Sequence, residues 1–492
     1  MQYILALDIG TTSTRAIIFN QKMEQVVQVS DPLKIFAQET SEVEQDANEI
    51  WIKTIGCAKK CIKSSHINVK NIKCIGITNQ RETVLAWDAA TGKSLSSAIV
   101  WQDRRTAKRC AALEKNRSLA RRIKAKTGLV IDPSFSATKI EWLNTDLAKK
   151  KIKRVLFGTI DSWILWNLTG KQTYATESSN ASRTMLMDLK TQTWDKDLLK
   201  LFKISERQLP KILQSQGEFG LTDKKLFGIQ IPITGILGDQ QASLFSHGPI
   251  HANGLAVTFG TGIFALKPIG NIPRPSTSGI LTTVAWDRPN RPVEYAYEAS
   301  ALTGGAMLEW FKNQIGLVKN MKEFDALAEQ VQTTGGVTIV PAFTGLAAPD
   351  WDPSARGLII GLNRGTQKAH ICRAAIEAIA CQATRIARLL QDQSGTKITN
   401  WRVSGGLAKS NILMQSQSDM SQTNICRESH IESTAAGAAM IAGLGADIWP
   451  TWREISKQMT CEKVFRPKRI KRGLAFLAQY ERALERAKNW VI

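Results

Sequence analysis

Ala6-Leu7-Asp8-Ile9-Gly10-Thr11-Thr12-Ser13-Thr14-Arg15-Ala16-Ile17 decides how the rest of this chain is read. An apolar run at Tyr3–Leu7 and a second strand-like stretch at Thr14–Asn20 flank a polar turn at Gly10–Ser13, so the segment predicts a hairpin. A glycine turn followed by Thr11, Thr12 and Ser13 offers several backbone N–H groups and side-chain O–H donors to one small anion. Turns of this kind form phosphate-binding nests. Asp8, at the strand end, can hold a divalent metal through water, and Arg15 can neutralise phosphate charge. A plain hairpin whose aspartate bonds its own turn fits the same residues.

Two later turns repeat the pattern. Leu255–Phe259, Gly260-Thr261-Gly262 and Ile263–Leu266 again read as strand, turn and strand. Ser404-Gly405-Gly406 follows a short strand at Trp401–Val403 and precedes a helix predicted over Ser410–Ser418. Glycine turns at strand ends in both halves suit a nucleotide, with β- and γ-phosphates on one lobe and α-phosphate plus adenosine on the other. Between the halves, the strand Ile231–Leu237 leads into Gly238-Asp239-Gln240-Gln241, which opens a helix. Alternating strand-like and helical stretches place the chain in the α/β class. We expect two lobes, 1–247 and 248–492, with no low-complexity linker, packing directly and closing over a cleft. An amphipathic helix at Leu474–Trp490 ends the sequence.

A chain of 492 residues is too long for one compact domain. Hydrophobic residues at 43% and charged residues at 22% are ordinary for a globular protein and exclude disorder and collagen-like repeats. The longest apolar runs, such as Gly357–Leu362, fall short of a bilayer span, and the first residues lack the features of a signal peptide, so a cytoplasmic location is expected. The net charge of +22 invites a nucleic-acid reading. Its basic clusters, Arg121–Lys126, Lys149–Arg154, Lys224–Lys225 and Arg466–Arg472, are scattered and not interleaved with stacking aromatics, so no specific nucleic-acid partner is expected. The eight cysteines show no Cys-x-x-Cys and read as reduced, mostly buried thiols.

Asp239 begins a helix after a strand, where a carboxylate can take the proton of a hydroxyl as its oxygen attacks phosphorus. The same position favours aspartate as a helix cap. Gln240 can bind a hydroxyl or sit on the helix surface. Thr78-Asn79-Gln80-Arg81-Glu82-Thr83 joins two strands, Ile75–Thr78 and Val84–Trp87. Arg81 and Glu82 there make either a salt bridge or a donor and acceptor for a small polyol. Trp101, ending the strand Ala98–Trp101, and Phe264 supply apolar contacts to a carbon backbone or belong to the core. P-loop, protein-kinase and dinucleotide signatures are absent. Ser136-Ala137-Thr138-Lys139 matches S-x-x-K and Lys126-Thr127-Gly128 matches K-T-G of penicillin-recognising serine enzymes. Here K-T-G precedes the serine closely, which is the wrong order for that class.

Taken together, the segments resemble the FGGY carbohydrate kinases, and most closely the members that phosphorylate glycerol. The stretches that carry the resemblance are ALDIGTTSTRAI, GITNQRETVLAWD, AIVWQDRRT, FGTIDSWILWNLTG, SNASRTML, GDQQASLF, FGTGIF and VPAFTGLAAPDWDPSARG. The segment Gly357–Glu377 is also similar to the second family signature. The resemblance implies two actin/Hsp70/sugar-kinase-like (ribonuclease H-like) lobes flanking a cleft that holds ATP and Mg2+. It implies ATP-dependent phosphorylation of glycerol to sn-glycerol 3-phosphate with Asp239 as catalytic base. Arg81, Glu82 and Gln240 take the polyol-bonding positions, with Trp101 and Phe264 as apolar walls. Thr11, Thr12, Ser13, Arg15, Thr261, Gly305 and Gly406 fall on nucleotide positions, and Asp8 on the metal-associated acid. Members are often homodimers or homotetramers.

Some positions depart from the family pattern. Ser134 stands in the polyol site where a tyrosine is usual, and loss of that tyrosine either weakens glycerol binding or leaves room for a larger polyol or ketose such as erythritol or xylulose. Glu309 replaces a glutamine and Ser410 an asparagine on the adenine side. Phe219–Ile231 lacks the loop used for fructose-1,6-bisphosphate control in some members, so that control is not expected. A non-catalytic ATP-binding module of the actin/Hsp70 type is the alternative of another class.

Overall fold

The computed structural model describes residues 2–37, 41–248, 253–348, 350–429 and 432–491. Two large sheets share one topology. The first contains β1 (Tyr3–Ile9), β2 (Ser13–Asn20), β3 (Gln25–Pro32), β4 (Ile72–Asn79), β5 (Gln216–Leu221) and β6 (Pro232–Gly238), in the order β5-β6-β4-β1-β2-β3. The second contains β7 (Gly254–Phe259), β8 (Ile263–Gly270), β9 (Leu281–Trp286), β10 (Glu294–Ala301), β11 (Asn400–Ser404), β12 (Asn424–Glu428) and β13 (Cys461–Phe465), in the order β9-β10-β8-β7-β11-β12-β13. In each, an antiparallel three-strand meander is followed by two parallel strands: β3-β2-β1-β4-β6 corresponds to β10-β8-β7-β11-β12. This is the ribonuclease H-like arrangement, present twice.

The apolar run that opens the chain becomes a central strand, buried from Ile4 to Ile9. Strands covered on both faces need such unbroken apolar sequence. A five-stranded sheet built from Phe36–Ala37, Val43–Gln45, Val84–Asp88, Ala98–Ile99 and Val155–Thr159 extends the N-terminal lobe. Trp101 lies beyond the end of that fourth segment, in a turn rather than in the strand predicted to reach it.

Among the helices are α1 (Ala47–Ser65), α2 (Ser136–Lys149), α3 (Asp239–Ser246), α4 (Gly305–Asn313), α5 (Asn411–Ser421) and α6 (Ser433–Gly445). Helix α3 leaves β6 of the first sheet, and α6 follows β12 of the second. Helix α6 then packs on β4, β6 and β1 of the other lobe and crosses α3. Glycine makes the crossing close. A Cβ on Gly437 would stand 1.8 Å from the carbonyl oxygen of Ala242 in α3. One on Gly76 would stand 2.1 Å from the Ala438 carbonyl oxygen, and one on Gly235 2.5 Å from the Ala442 nitrogen. Backbone thus meets backbone at the joint between the lobes.

Two cysteines depart from the expectation of reduced thiols. Cys426 on β12 and Cys461 on β13 are bonded as a disulfide, with Cα atoms 5.5 Å apart. Their pairing follows from the antiparallel register of β12 with β13, which a separation of 35 residues conceals in the sequence. The other six cysteines are free and buried.

Side chains cannot be added at the joint without moving backbone. Gly437→Ala is expected to lower the melting temperature by several degrees, at a cost of about 1–3 kcal/mol for overpacking. Gly56 in α1 has open space where a Cβ would stand, with nothing within 4 Å, so Gly56→Ala should leave stability equal or raise it by about 0.5–1 kcal/mol. Thermal melts of the two variants check this, and equal shifts would contradict the packing account.

Candidate active site

Three strand ends, the middle of α3 and the start of α6 meet at one place. Ser243 on α3 lies 3.2 Å from Thr258 on β7, 3.3 Å from Ser404 on β11 and 3.0 Å from Ser433 at the start of α6, hydroxyl to hydroxyl. The next residue, Thr434, donates to Asp8 at 2.9 Å. This chain of hydroxyls ties together the ends of β1, β7 and β11, and each of those strands leads into one of the three glycine turns. The turns therefore converge.

At the first turn, the Gly10 N–H closes on the Ser13 carbonyl at 3.0 Å. The Thr11 carbonyl accepts from Gln45, and its hydroxyl donates to Gln80 at 3.2 Å and accepts the indole N–H of Trp101 at 3.0 Å. Thr12 is exposed and Ser13 half-buried. The N–H groups of Thr11 and Thr12 have no partner among the described residues and remain available to an anion. Arg15 lies 3.6 Å from Asp8 and also pairs with Glu432. Burial pushes the Asp8 carboxyl above its ordinary range, opposed by Arg15.

At the second turn, the Thr261 carbonyl accepts from Gly304 at 2.8 Å and the Gly260 carbonyl from Gly305 at 2.9 Å. A Cβ on Gly305 would stand 2.9 Å from the Gly260 oxygen and 3.5 Å from the Leu407 side chain, so the second and third turns touch at α4. Gly405 has φ +90° and approaches the Phe259 carbonyl so closely that a Cβ would stand 2.5 Å away, a conformation and a space that only glycine fits. Beside it, Gly406 is open. The two departures on this side serve local structure. Glu309 is exposed and accepts from Lys312 and Asn313, while Ser410 caps α5 and donates to Asp325 at 3.0 Å.

The polyol candidates form a buried charge network. Arg81 donates through both terminal nitrogens to Glu298 on β10, at 2.6 and 2.9 Å, and its Nε lies 3.1 Å from Asp239 Oδ1. Arg183 bridges Glu82 at 2.6 Å and Glu298 at 3.1 Å. Burial pushes the Asp239 carboxyl up to about 6; Arg81 opposes this, and Glu82 and Asp8 add to it. For Glu298 burial acts in the same direction, but Arg183 and Arg81 override it and hold that carboxyl at about 2. The Gln240 side-chain oxygen is buried and accepts no hydrogen bond among the described residues. Phe264 pairs across the sheet with Ser300, on the face that also carries Glu298. Ser134 is half-buried, and its carbonyl accepts from Lys139 at 2.7 Å.

The structure thus brings together Asp8, Arg15, Arg81, Glu82, Asp239 and the residues of the three turns. It adds Glu298, Arg183, Thr434 and Ser243, which the sequence alone does not single out. Arg183 sits inside the quoted stretch SNASRTML, and Glu298 is an isolated acid in the otherwise uncharged middle of a strand, a signal of buried pairing.

The model of the FGGY family of carbohydrate kinases matches with its N-terminal domain over residues 3–246 and its C-terminal domain over 255–446. A glycerol kinase of Acinetobacter baylyi is 44% identical over 497 residues, covering 100% of both chains. One of Bdellovibrio bacteriovorus is 45% identical, covering 98% of this chain and 99% of the relative. The crystal structure of Plasmodium falciparum glycerol kinase with ADP superposes with a TM-score of 0.91 at 33% identity, covering 99% of this chain and 98% of the other. A ligand-bound xylulose kinase from Lactobacillus acidophilus, at 23% identity and a TM-score of 0.88, shares the fold. By both halves of its sequence, the chain belongs to the FGGY family of carbohydrate kinases.

Proposed function

We propose that this kinase transfers the γ-phosphoryl group of ATP to a terminal hydroxyl of glycerol, giving sn-glycerol 3-phosphate and ADP, in a cleft between lobes 1–247 and 248–492. The observation that carries the reading is Asp239, a half-buried carboxylate whose desolvation raises it to about 6 and which is held beside Arg81. Its Oδ1 takes Arg81 Nε at 3.1 Å and the Gln240 N–H at 2.7 Å, which leaves Oδ2 to accept the hydroxyl proton. As the hydroxyl oxygen bonds to the γ-phosphorus, the bond from that phosphorus to the bridging oxygen breaks. The proton goes to Asp239 and then to solvent. A base whose pKa lies near the working pH is effective in this role.

Glu82 accepts from polyol hydroxyls, and Gln240 offers its unpartnered oxygen to one. Trp101 and Phe264 line the carbon chain. The open amides of Thr11, Thr12, Thr261 and Gly406, with the Ser13 hydroxyl and Arg15, hold phosphate oxygens. Glu309 and Ser410 border the adenine, and Gly305 keeps that side open to it.

Mg2+ fits Asp8. This buried acid raises the pKa of Asp239 through its charge, so a cation there relieves two neighbouring carboxylates. No cluster of three or more ligating side chains exists among the described residues, which matches an ion held by one carboxylate, waters and substrate phosphates. Bound Mg2+ supplies charge neutralisation to the phosphate oxygens.

No helix among the described residues is long and apolar enough to cross a membrane, in keeping with a cytoplasmic enzyme acting on small substrates. We expect a homodimer or homotetramer, as in the family. Because Ser134 presents a short side chain, erythritol and xylulose are the alternative substrates to compare with glycerol. A coupled ADP-release assay should give the highest kcat/KM for glycerol, and a higher value for another polyol would move the assignment to it. ATP binding without turnover of any of them would favour a non-catalytic module.

Asp239→Asn should lower kcat by about 100- to 10,000-fold while the protein keeps its melting temperature. The base works deprotonated, so kcat/KM should fall as pH drops through about 6 and hold steady above it. A flat profile from pH 5 to 8 would contradict the role. Glu298→Gln removes a negative charge beside Arg81 and leaves more of that cation's field on Asp239. The acid limb should then move to lower pH, and a shift upward would show that the network is wired differently.

A further inference from the structure

The S-x-x-K stretch has no hydrolase role here, yet it is built into the polyol side of the cleft. K-T-G is spent elsewhere: Lys126 pairs with Asp195 and Asp197, and Gly128 ends a helix with φ +72°. Ser136 and Lys139, by contrast, are fully buried on the first turn of α2 and reach the segments that carry the polyol residues.

We propose that Ser136 and Lys139 form a buried clamp that sets the geometry of the polyol subsite by holding three carbonyls, those of Glu82, Val100 and Ser134. Ser136 Oγ donates to the Glu82 carbonyl at 3.1 Å. Lys139 Nζ donates to Ser134 O at 2.7 Å and Val100 O at 3.4 Å. Glu82 and Ser134 are themselves polyol-site residues, and Val100 precedes Trp101. The two residues between complete the attachment. The Ala137 N–H donates to Thr184 O at 2.8 Å, next to Arg183, and the Thr138 hydroxyl lies 2.8 Å from that of Thr106. One helical turn therefore fixes four chain segments relative to one another.

Two features separate this from ordinary core packing. Glu82 has φ +62°, a left-handed conformation that costs a non-glycine residue energy and persists only when its surroundings hold it. Arg183 holds its carboxylate and Ser136 its carbonyl. Lys139, moreover, is an amine withdrawn from water whose hydrogen bonds go to backbone carbonyls. Burial lowers it to about 7, although Glu82, Asp103 and Asp132 oppose this and Arg105 adds to it. Burying such a group is costly and brings geometric definition in return. Both are positioning residues, since neither reaches the reacting atoms.

The clamp rests on the polyol-kinase reading, and steady-state kinetics with glycerol and ATP varied separately distinguishes the two. Lys139→Met should raise the glycerol KM by about tenfold or more and Ser136→Ala by about threefold to tenfold, the loss expected for a buried hydrogen bond and a displaced site. The ATP KM should stay within about twofold. Equal rises in both KM values, or a lower melting temperature with an unmoved glycerol KM, would overturn the clamp while the wild type still turns over glycerol. If Lys139→Met fails to fold, Ser136→Ala decides alone on the same criterion. A wild-type enzyme inactive on glycerol would overturn the parent reading and the clamp with it.

Discussion

The backbone contact between α3 and α6 is the constraint on which the molecule turns. Each helix grows out of the last parallel strand of one lobe, and α6 lies against the sheet of the other. Glycines at 76, 235 and 437 let carbonyls and amides of neighbouring elements come within what would be a Cβ contact. Close-packed interfaces of this kind resist continuous deformation and leave rigid-body rotation as the available motion. Asp239, the base of the proposed reaction, opens one of these helices, and the hydroxyl partner of Asp8 lies on the first turn of the other. Asp239 and the three glycine turns are therefore carried on packed elements and not on loose loops.

Electrostatics crosses the same gap. Arg81 of the first lobe shares Glu298 of the second with Arg183, and the arginine also touches Asp239. Glu82, Glu298 and Asp239 outnumber the two buried arginines, so one carboxylate is left undercompensated. Glu298 receives both cations and sits at about 2; Asp239 receives only Arg81 Nε and sits at about 6. One network thus holds one carboxylate low and leaves another raised by dividing its cations unequally. Pushing pKa values apart in this way is how neighbouring acids acquire different roles.

Much of this is legible in the sequence. The hairpin with its turn at Gly10–Ser13, its counterpart at Gly260–Gly262 and the strand leading into Asp239 all appear where apolar runs and glycine turns place them. Those signals are local, and local patterning survives folding. Glu298 and Arg183 are not legible as site residues, because Glu298 lies 217 positions from its partner Arg81, and Arg183 lies 101 and 115 positions from its partners Glu82 and Glu298. The Cys426–Cys461 bond is hidden for the same reason: it depends on which strands become neighbours. Apolar sequence continuing past the last ladder pair predicts a strand that reaches Trp101, while the indole instead bonds Thr11.

The floor of the cleft also explains why such a site favours its ligands. Burial raises both Asp8 and Asp239, the latter to about 6, so once ionised each is a carboxylate that water would solvate better. That cost is present above the folded pKa and disappears as pH falls far enough to protonate the acids in both folded and unfolded chains. In the proposed reaction, a cation at Asp8 and a hydroxyl donor at Asp239 would remove the same cost without protonation. Part of the substrates' binding free energy would then come from relief of that desolvation cost.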